Sequence, residues 1–557
     1  MRLTETADVW WKNAVVYCLD IETFFDTDGD GCGEIRGLSQ RIDYLAELGV
    51  TCLWLMPFYP TADRDDGYDI TDFYGVDHRL GTHGDLVELL TLAQDRGIRV
   101  IADLVVNHTS DQHPWFRSAR ESRSSKYRGW YVWRDEPPAD QHEGVVFPDK
   151  ENSLWQYDEA AGQYYLHQFY KQQPDLDVAH PEVREEIIRI IGFWLQLGLS
   201  GFRVDAVPFL LDTKGAPDAA DLPDPHDYLR DLRAFLSRRH GQAVLLGEVN
   251  LDYAQTRQFF GDEDGDELTM CFDFIGMQKL FLSLARQDPT ELIEAFQQRP
   301  VAPEEGQWGM FVRNHDELTL DKLTDDERQE VFAAFGPEED MQLYGRGLRR
   351  RLPTMLGNDL RRIKMVYSLL FSLPGTPVLF YGEEIGMGEN LAVEGRNAVR
   401  TPMQWTGGVN GGFSTADPDA LCRPMVDGEF SPSQVNVADQ RHDPDSLLNW
   451  IQLLIRRYRE TPELSWGSCT ILKLGAPSVF AHRSDYENGS VIAVHNFSGT
   501  PVDVTIPVEG TGVGLQLADL LTGRTIAVDL DGTVQHHLPA YGACWLRVLR
   551  PEDRYLV

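Results

Sequence analysis

From residue 14 to about 385 the chain alternates short, nearly continuous apolar runs with longer stretches in which apolar residues recur at helical spacing. The runs fall at 15–19, 52–56, 100–106, 201–205, 243–248, 271–274, 309–312 and 377–381. A segment that is apolar at consecutive positions, not alternate ones, is what a strand covered on both faces of a parallel sheet requires. Between them, 38–48, 85–96 and 181–197 have helical periodicity. In the last, Val183, Ile187, Ile190, Ile191, Trp194 and Leu197 line one face, and Pro181 marks the start. Eight strands alternating with helices predict an α/β fold, a (β/α)8 TIM barrel.

Two segments break the alternation. Residues 107–175, between the third strand and the next helix, are too long for a barrel loop and carry Trp115, Trp130, Tyr131, Trp133 and Trp155, so they read as an inserted subdomain after strand 3. A loop region at 395–412 and a helix at 446–459 precede short alternating strands (491–494, 502–506, 544–548) with Gly and Asp turns, which predict a C-terminal all-β sandwich domain. The expected division is barrel at 1–106, inserted subdomain at 107–175, barrel with active-site loops at 176–465, and C-terminal domain at 466–557.

Composition narrows the function. The 557 residues hold 51 Lys+Arg against 88 Asp+Glu, a formal charge of −37, which argues against nucleic acid or an anionic membrane as a partner. The balance fits an enzyme for a neutral small molecule. Residues 1–6 lack a basic region followed by an apolar stretch, and no run of 18 apolar residues occurs, so neither a leader nor a membrane span is expected. The seven cysteines are odd in number and form no CxxC pair; they read as small buried hydrophobes of a cytoplasmic protein.

The chemistry gathers where predicted strands end, the face on which barrel enzymes act. Strand three runs Asp103-Leu104-Val105-Val106-Asn107-His108, strand four Gly201-Phe202-Arg203-Val204-Asp205-Ala206, strand five ends in Gly247-Glu248, and strand seven leads into Asn314-His315-Asp316. Convergent carboxylates raise one another's pKa and need a compensating purpose. Arg203 lies two residues before Asp205 and so on the same strand face, where its guanidinium is expected to lower the Asp205 pKa. Separately, Asp26-Thr27-Asp28-Gly29-Asp30-Gly31-Cys32-Gly33-Glu34 places carboxylates at positions 1, 3, 5 and 9 with the Cys32 carbonyl available, a hard-oxygen donor set suited to Ca2+ or Mg2+. A solvated acidic turn is the alternative.

These four regions resemble, in order, the signature regions of glycoside hydrolase family 13, the α-amylase family. The resemblance implies Asp205 as nucleophile, Glu248 as general acid/base and Asp316 as transition-state stabiliser of a retaining reaction. It implies His108 and His315 as hydroxyl-binding residues and Tyr68 as the platform for the glucosyl ring, with Arg203 beside the nucleophile. Asp65 and Arg400 together are expected to close the pocket behind the non-reducing end, favouring exo action. The 26–34 loop is similar to the family's structural cation loop, and a second Ca2+ is implied at Asn107 and Asp175, tying insert to barrel. No organic cofactor is expected.

Stretches 173–177, 313–320, 344–352 and 374–390 are similar to the family members that interconvert maltose and trehalose by intramolecular transglucosylation. The chain departs from that group at Glu22, where the group has a basic residue, at Val249 beside the acid/base, and at Asp177 in place of Asn. An exo-acting α-glucosidase on short α-glucosides, or a transglucosylase to another small acceptor, is the alternative. A non-catalytic sugar-binding module and self-association through the Trp-rich insert are also left open.

Overall fold

The computed structural model describes residues 9–211, 224–263, 265–508 and 514–550; residues 1–6, read above for a leader, lie outside them. Eight parallel strands close into a barrel in chain order: Val16–Leu19, Cys52–Leu55, Arg99–Leu104, Gly201–Val204, Val244–Gly247, Met270–Phe272, Gln307–Phe311 and Thr376–Phe380. Nearly every residue in them is buried, because inner side chains fill the barrel and outer ones meet the surrounding helices. All but the first stop one or two residues before the ends read from sequence. At strands four and five the residues that leave the ladder are Asp205 and Glu248, which turn toward the mouth.

The helices Ile35–Leu48, His83–Asp95 and Pro181–Leu197 lie where periodicity places them. Pro181 opens the last, and Gly198 in the left-handed region (φ 119°) ends it.

The segment after strand three contains a helix, Pro114–Glu121, and a three-stranded antiparallel sheet with Gln163–Leu166 between Trp133–Arg134 and Trp155–Asp158. Its tryptophans face inward: Trp133 stacks on Phe116 at 5.5 Å, and Trp115 meets Trp130 at 4.7 Å. Trp115 also stacks on Phe73 of the barrel at 5.5 Å, so these rings join the insert's packing to that of the barrel. The chain rejoins the barrel through Leu176 N–H to Asn107 O (2.9 Å).

The 395–412 region is not featureless, since Gly395–Val399 and Val409–Gly412 form 3-10 turns. A small sheet of Leu318–Thr319, Gly347–Leu348 and Gln342–Leu343, absent from the sequence reading, stands beside the barrel mouth. The C-terminal domain pairs a six-stranded antiparallel sheet with a two-stranded antiparallel sheet of Val502–Pro507 and Thr533–Leu538 over one apolar core. It docks on the helix Leu360–Ser372, where Trp545 Nε1 donates to Ser368 Oγ at 3.0 Å.

Candidate active site

The site is organised by one buried arginine. Arg203 donates from Nη1 to Asp103 Oδ1 and to Asp205 Oδ1, both at 2.5 Å, and its Nη2 forms an ion pair with Glu248 Oε2 at 2.9 Å. Asp103 and Arg203 are register partners on neighbouring strands, so the ladder itself brings them together. Ala206 sits in the left-handed region (φ 49°), a costly conformation without glycine, and its N–H donates to Glu248 Oε2 at 3.0 Å. The turn after the fourth strand thus fixes Asp205 and Glu248 together.

Burial raises all three acids. Asp103 and Asp205 are each pushed up to about 6 and Glu248 to about 7, with Arg203 pulling the other way in each case and neighbouring carboxylates adding to the rise. Arg203 does lower the Asp205 pKa, as expected, but a guanidinium shared among three acids does not repay their desolvation, so the net position is above the ordinary carboxylate value and not below it.

Asp316 is held differently. Its Oδ1 accepts from Arg396 Nη1 at 2.5 Å and Arg400 Nη2 at 3.1 Å, and its Oδ2 lies 3.2 Å from His315 Nε2. Burial opposes ionisation, but His315 and the two arginines outweigh it and drive the Asp316 pKa down. Burial also keeps His315 itself uncharged, so the guanidiniums supply the positive charge. Tyr68 lies stacked over His315 and its hydroxyl is 2.7 Å from His315 Nε2. His108 Nε2 reaches Tyr68 O at 3.1 Å.

Asp65 and Arg400, expected to close the pocket together, engage different partners. Asp65 pairs with Arg396 at 3.0 Å and accepts from Gln173 Nε2 at 2.8 Å, whereas Arg400 and Arg423 both grip Asp66. Arg400 and Arg396 lie four residues apart on one short turn; both reach Asp316, and sequence reading named only Arg400 and missed Arg396. Asp103 was also passed over, although an acid inside a buried apolar strand needs a partner. Glu22 lies behind this network, 3.0 Å from Arg79, with its pKa raised to about 8 by burial and by Asp20 and Asp66.

Glu248, Asp316 and Arg396 line a cavity of about 660 Å3 whose opposite wall is Phe147, Phe169 and Phe209. The volume is within the usual range for small-molecule sites. The tip of the insert bears on the mouth: Phe147 stacks on Tyr170 at 4.5 Å and meets Tyr344 at 4.9 Å, and Arg346 joins Val146 O (2.7 Å) to Glu317 (3.2 Å). Another cavity of about 670 Å3, beside Tyr486 and Arg547 under the C-terminal domain, lies away from the ends of the barrel strands; its acids Glu460 and Glu463 are paired with Arg457 and Arg547.

In the 26–34 loop, Asp26, Asp28 and Glu34 bring carboxylate oxygens within 4.8 Å of one another, and among the described residues they form the one group of three or more such ligands. Asp30 stands apart, accepting from Cys32 N at 2.8 Å. Asn107 and Asp175 do meet, Asn107 Nδ2 donating to Asp175 Oδ1 at 3.3 Å.

The family model "Alpha amylase, catalytic domain" matches residues 21–335 and 348–467, and "Sucrose hydrolase-like, C-terminal domain" matches 489–547. The chain is 39% identical to "Trehalose synthase/amylase TreS" of Mycolicibacterium smegmatis, covering 99% of this chain and 94% of that protein. It is 39% identical to "Trehalose synthase" of Pimelobacter sp., covering 98% and 96%. Among solved structures it is similar to an inactive double mutant of MutB in complex with isomaltulose, with TM-score 0.77, 28% identity and coverage of 97% and 99%.

Proposed function

The chain belongs to the α-amylase family, and from that premise we propose that it is a retaining α-glucosyltransferase that isomerises maltose and trehalose within one closed pocket. The observation that carries the reading is the charge arrangement at the floor: an acid whose pKa lies near 7 beside one near 6, facing a third held ionised. The high identity along nearly the whole chain to proteins named trehalose synthase supports the choice of reaction.

Glu248, protonated near neutrality, gives its proton to the glycosidic oxygen as Asp205 attacks the anomeric carbon. The bond to the leaving glucose breaks and a glucosyl ester forms on Asp205, a mechanism that places two carboxyls about 5–5.5 Å apart. Asp316, ionised throughout, accepts hydrogen bonds from ring hydroxyls that strengthen as positive charge develops. The freed glucose turns and presents its anomeric hydroxyl; Glu248 removes that proton, the new oxygen attacks, and Asp205 leaves. The insert tip, held by Phe147 and Arg346, keeps water and glucose from exchanging during the turn.

Ca2+ or Mg2+ in the 26–34 loop has a structural role, with Asp26, Asp28 and Glu34 as carboxylate ligands and the Cys32 carbonyl alongside; a second Ca2+ at Asn107 and Asp175 would have the same role. The fit rests on three acids gathered without a neighbouring side-chain cation in their hydrogen bonds. No reaction step passes through either ion. The compartment is the cytoplasm, a reading supported by scattered unpaired cysteines. Among the described residues no helix is long and apolar enough to cross a membrane.

Incubation with maltose, and separately with trehalose, followed by chromatography tests the reading. Each sugar is expected to yield the other with little glucose; glucose alone identifies an α-glucosidase instead.

A further inference from the structure

Cys32 and Cys422, far apart in sequence, meet where the 26–34 loop touches the segment that follows the 395–412 turns. The backbones lock there: Cys422 N–H donates to Gly31 O at 2.9 Å, and a Cβ on Gly31 would come within 2.1 Å of Ala420 O and 3.1 Å of Leu421 Cα. The approach is so close that only glycine fits at position 31, where φ is also +98°. This contact makes Cys32 and Cys422 neighbours whose side chains influence each other. The Glu22 carbonyl ties the two segments together: Cys422 Sγ donates to it at 3.4 Å, and the N–H of Gly33, the residue after Cys32, donates to it at 2.7 Å. Unlike Cys18, Cys52, Cys271 and Cys544, which are buried, Cys32 and Cys422 are partly exposed and open to small reagents.

We propose that Cys32 and Cys422 are a redox modification site, a dithiol that a peroxide converts to a reversible disulfide stapling the 26–34 loop to the segment that carries Arg423. One sulfur, as thiolate, attacks a peroxide oxygen; the O–O bond breaks, the departing hydroxide takes a proton to become water, and a sulfenic acid remains. The second sulfur attacks the first, forming the S–S bond as the S–O bond breaks, and the hydroxide leaves with the second thiol's proton as another water. Two electrons pass from the sulfurs to the peroxide, and a dithiol reductant reverses the change. The staple abuts the reaction centre without belonging to it: Arg423 grips Asp66, whose other partner, Arg400, holds Asp316. The proposal is independent of which sugar the enzyme transfers.

Full-length protein is treated with hydrogen peroxide, its remaining thiols are alkylated after denaturation, and peptides are mapped by mass spectrometry without reduction. A single cross-link between Cys32 and Cys422 is expected, removed by dithiothreitol, together with an upward shift in melting temperature that the reductant also reverses. Cys32→Ser and Cys422→Ser should each abolish both the cross-link and the shift. Peroxide that leaves both thiols free, carries either on to sulfinic acid, or links other cysteines in the wild-type protein overturns the proposal. A cross-link that survives Cys32→Ser does so as well.

Discussion

Two clusters of acid and arginine meet at the ends of the barrel strands, where Glu248 of one and Asp316 of the other line the same cavity, and they are built in opposite proportions. Around Arg203 a single guanidinium is divided among Asp103, Asp205 and Glu248; around Asp316 two guanidiniums, of Arg396 and Arg400, serve one carboxylate. All four acids are desolvated, so burial alone does not separate them. The supply of positive charge does. Where it is scarce the acids rise to about 6 and 7 and can carry protons near neutrality; where it is in surplus the acid stays anionic. One site thus obtains a proton donor and a permanent anion from the same side-chain chemistry.

Removing the reacting groups is the largest perturbation. Asp205→Ala should lower kcat on the order of 10^4–10^6-fold while sugar binding, read by calorimetry, persists; unchanged turnover would make the protein a binder. Asp316→Asn, which keeps the shape and deletes the charge, should fall by a comparable factor.

Glu248→Gln should cost about 10^2–10^4-fold and remove the alkaline limb of the kcat/KM profile. In the wild-type protein that profile should be a narrow bell, rising as Asp205 ionises near 6 and falling as Glu248 loses its proton near 7. The two limbs belong to the coupled pair. The same shifts give a sign for stability. Folded pKa values above the unfolded ones mean that the Arg203 cluster favours the fold fully below about 4, the ordinary carboxylate value, and loses that contribution as pH rises through 6 to 7. Asp316 runs oppositely, its contribution present above its unfolded pKa and lost on acidification. Denaturant unfolding between pH 5 and 8 should therefore decline less steeply in Glu248→Gln than in wild type.

Arg203→Lys sharpens the comparison with a smaller effect. An ammonium keeps the charge but not the fork that reaches three acids, so the acid limb should move to higher pH and the melting temperature should fall. An unmoved limb would show that Arg203 does not govern Asp205. Smallest of all, Phe147→Ala loosens the insert tip and removes the ring that lies 5.3 Å from the Arg396 guanidinium, leaving the ion pairs of both clusters in place. It should leave total turnover within a few-fold and raise the glucose fraction, read by chromatography.

The barrel was legible because strands buried on both faces cannot disguise themselves: 201–205 and 243–248 are apolar except for Arg203, which stays in the ladder, and for Asp205 and Glu248, which leave it to do chemistry. The acids at strand ends were legible for the same reason. What sequence did not reveal depends on pairing across distance. Nothing local distinguishes Arg396 from Arg400 as the partner of Asp65, and the two-residue strands 318–319 and 347–348 exist only through each other. The closure of the mouth depends on Phe147 meeting Tyr344, contacts made only once the insert folds back. The sharing of Arg203 is likewise invisible, since Asp103 and Glu248 come from neighbouring strands. Whether Glu22 and Val249, the departures near the pocket, alter the acceptor is decided by product analysis.

The central claim is that the glucosyl group and the freed glucose stay together in a closed pocket. Incubating the enzyme with unlabelled maltose and an excess of carbon-13 glucose, then measuring label in the trehalose formed, tests it directly. The account predicts trehalose with little label, and trehalose carrying label in proportion to the free glucose would contradict it.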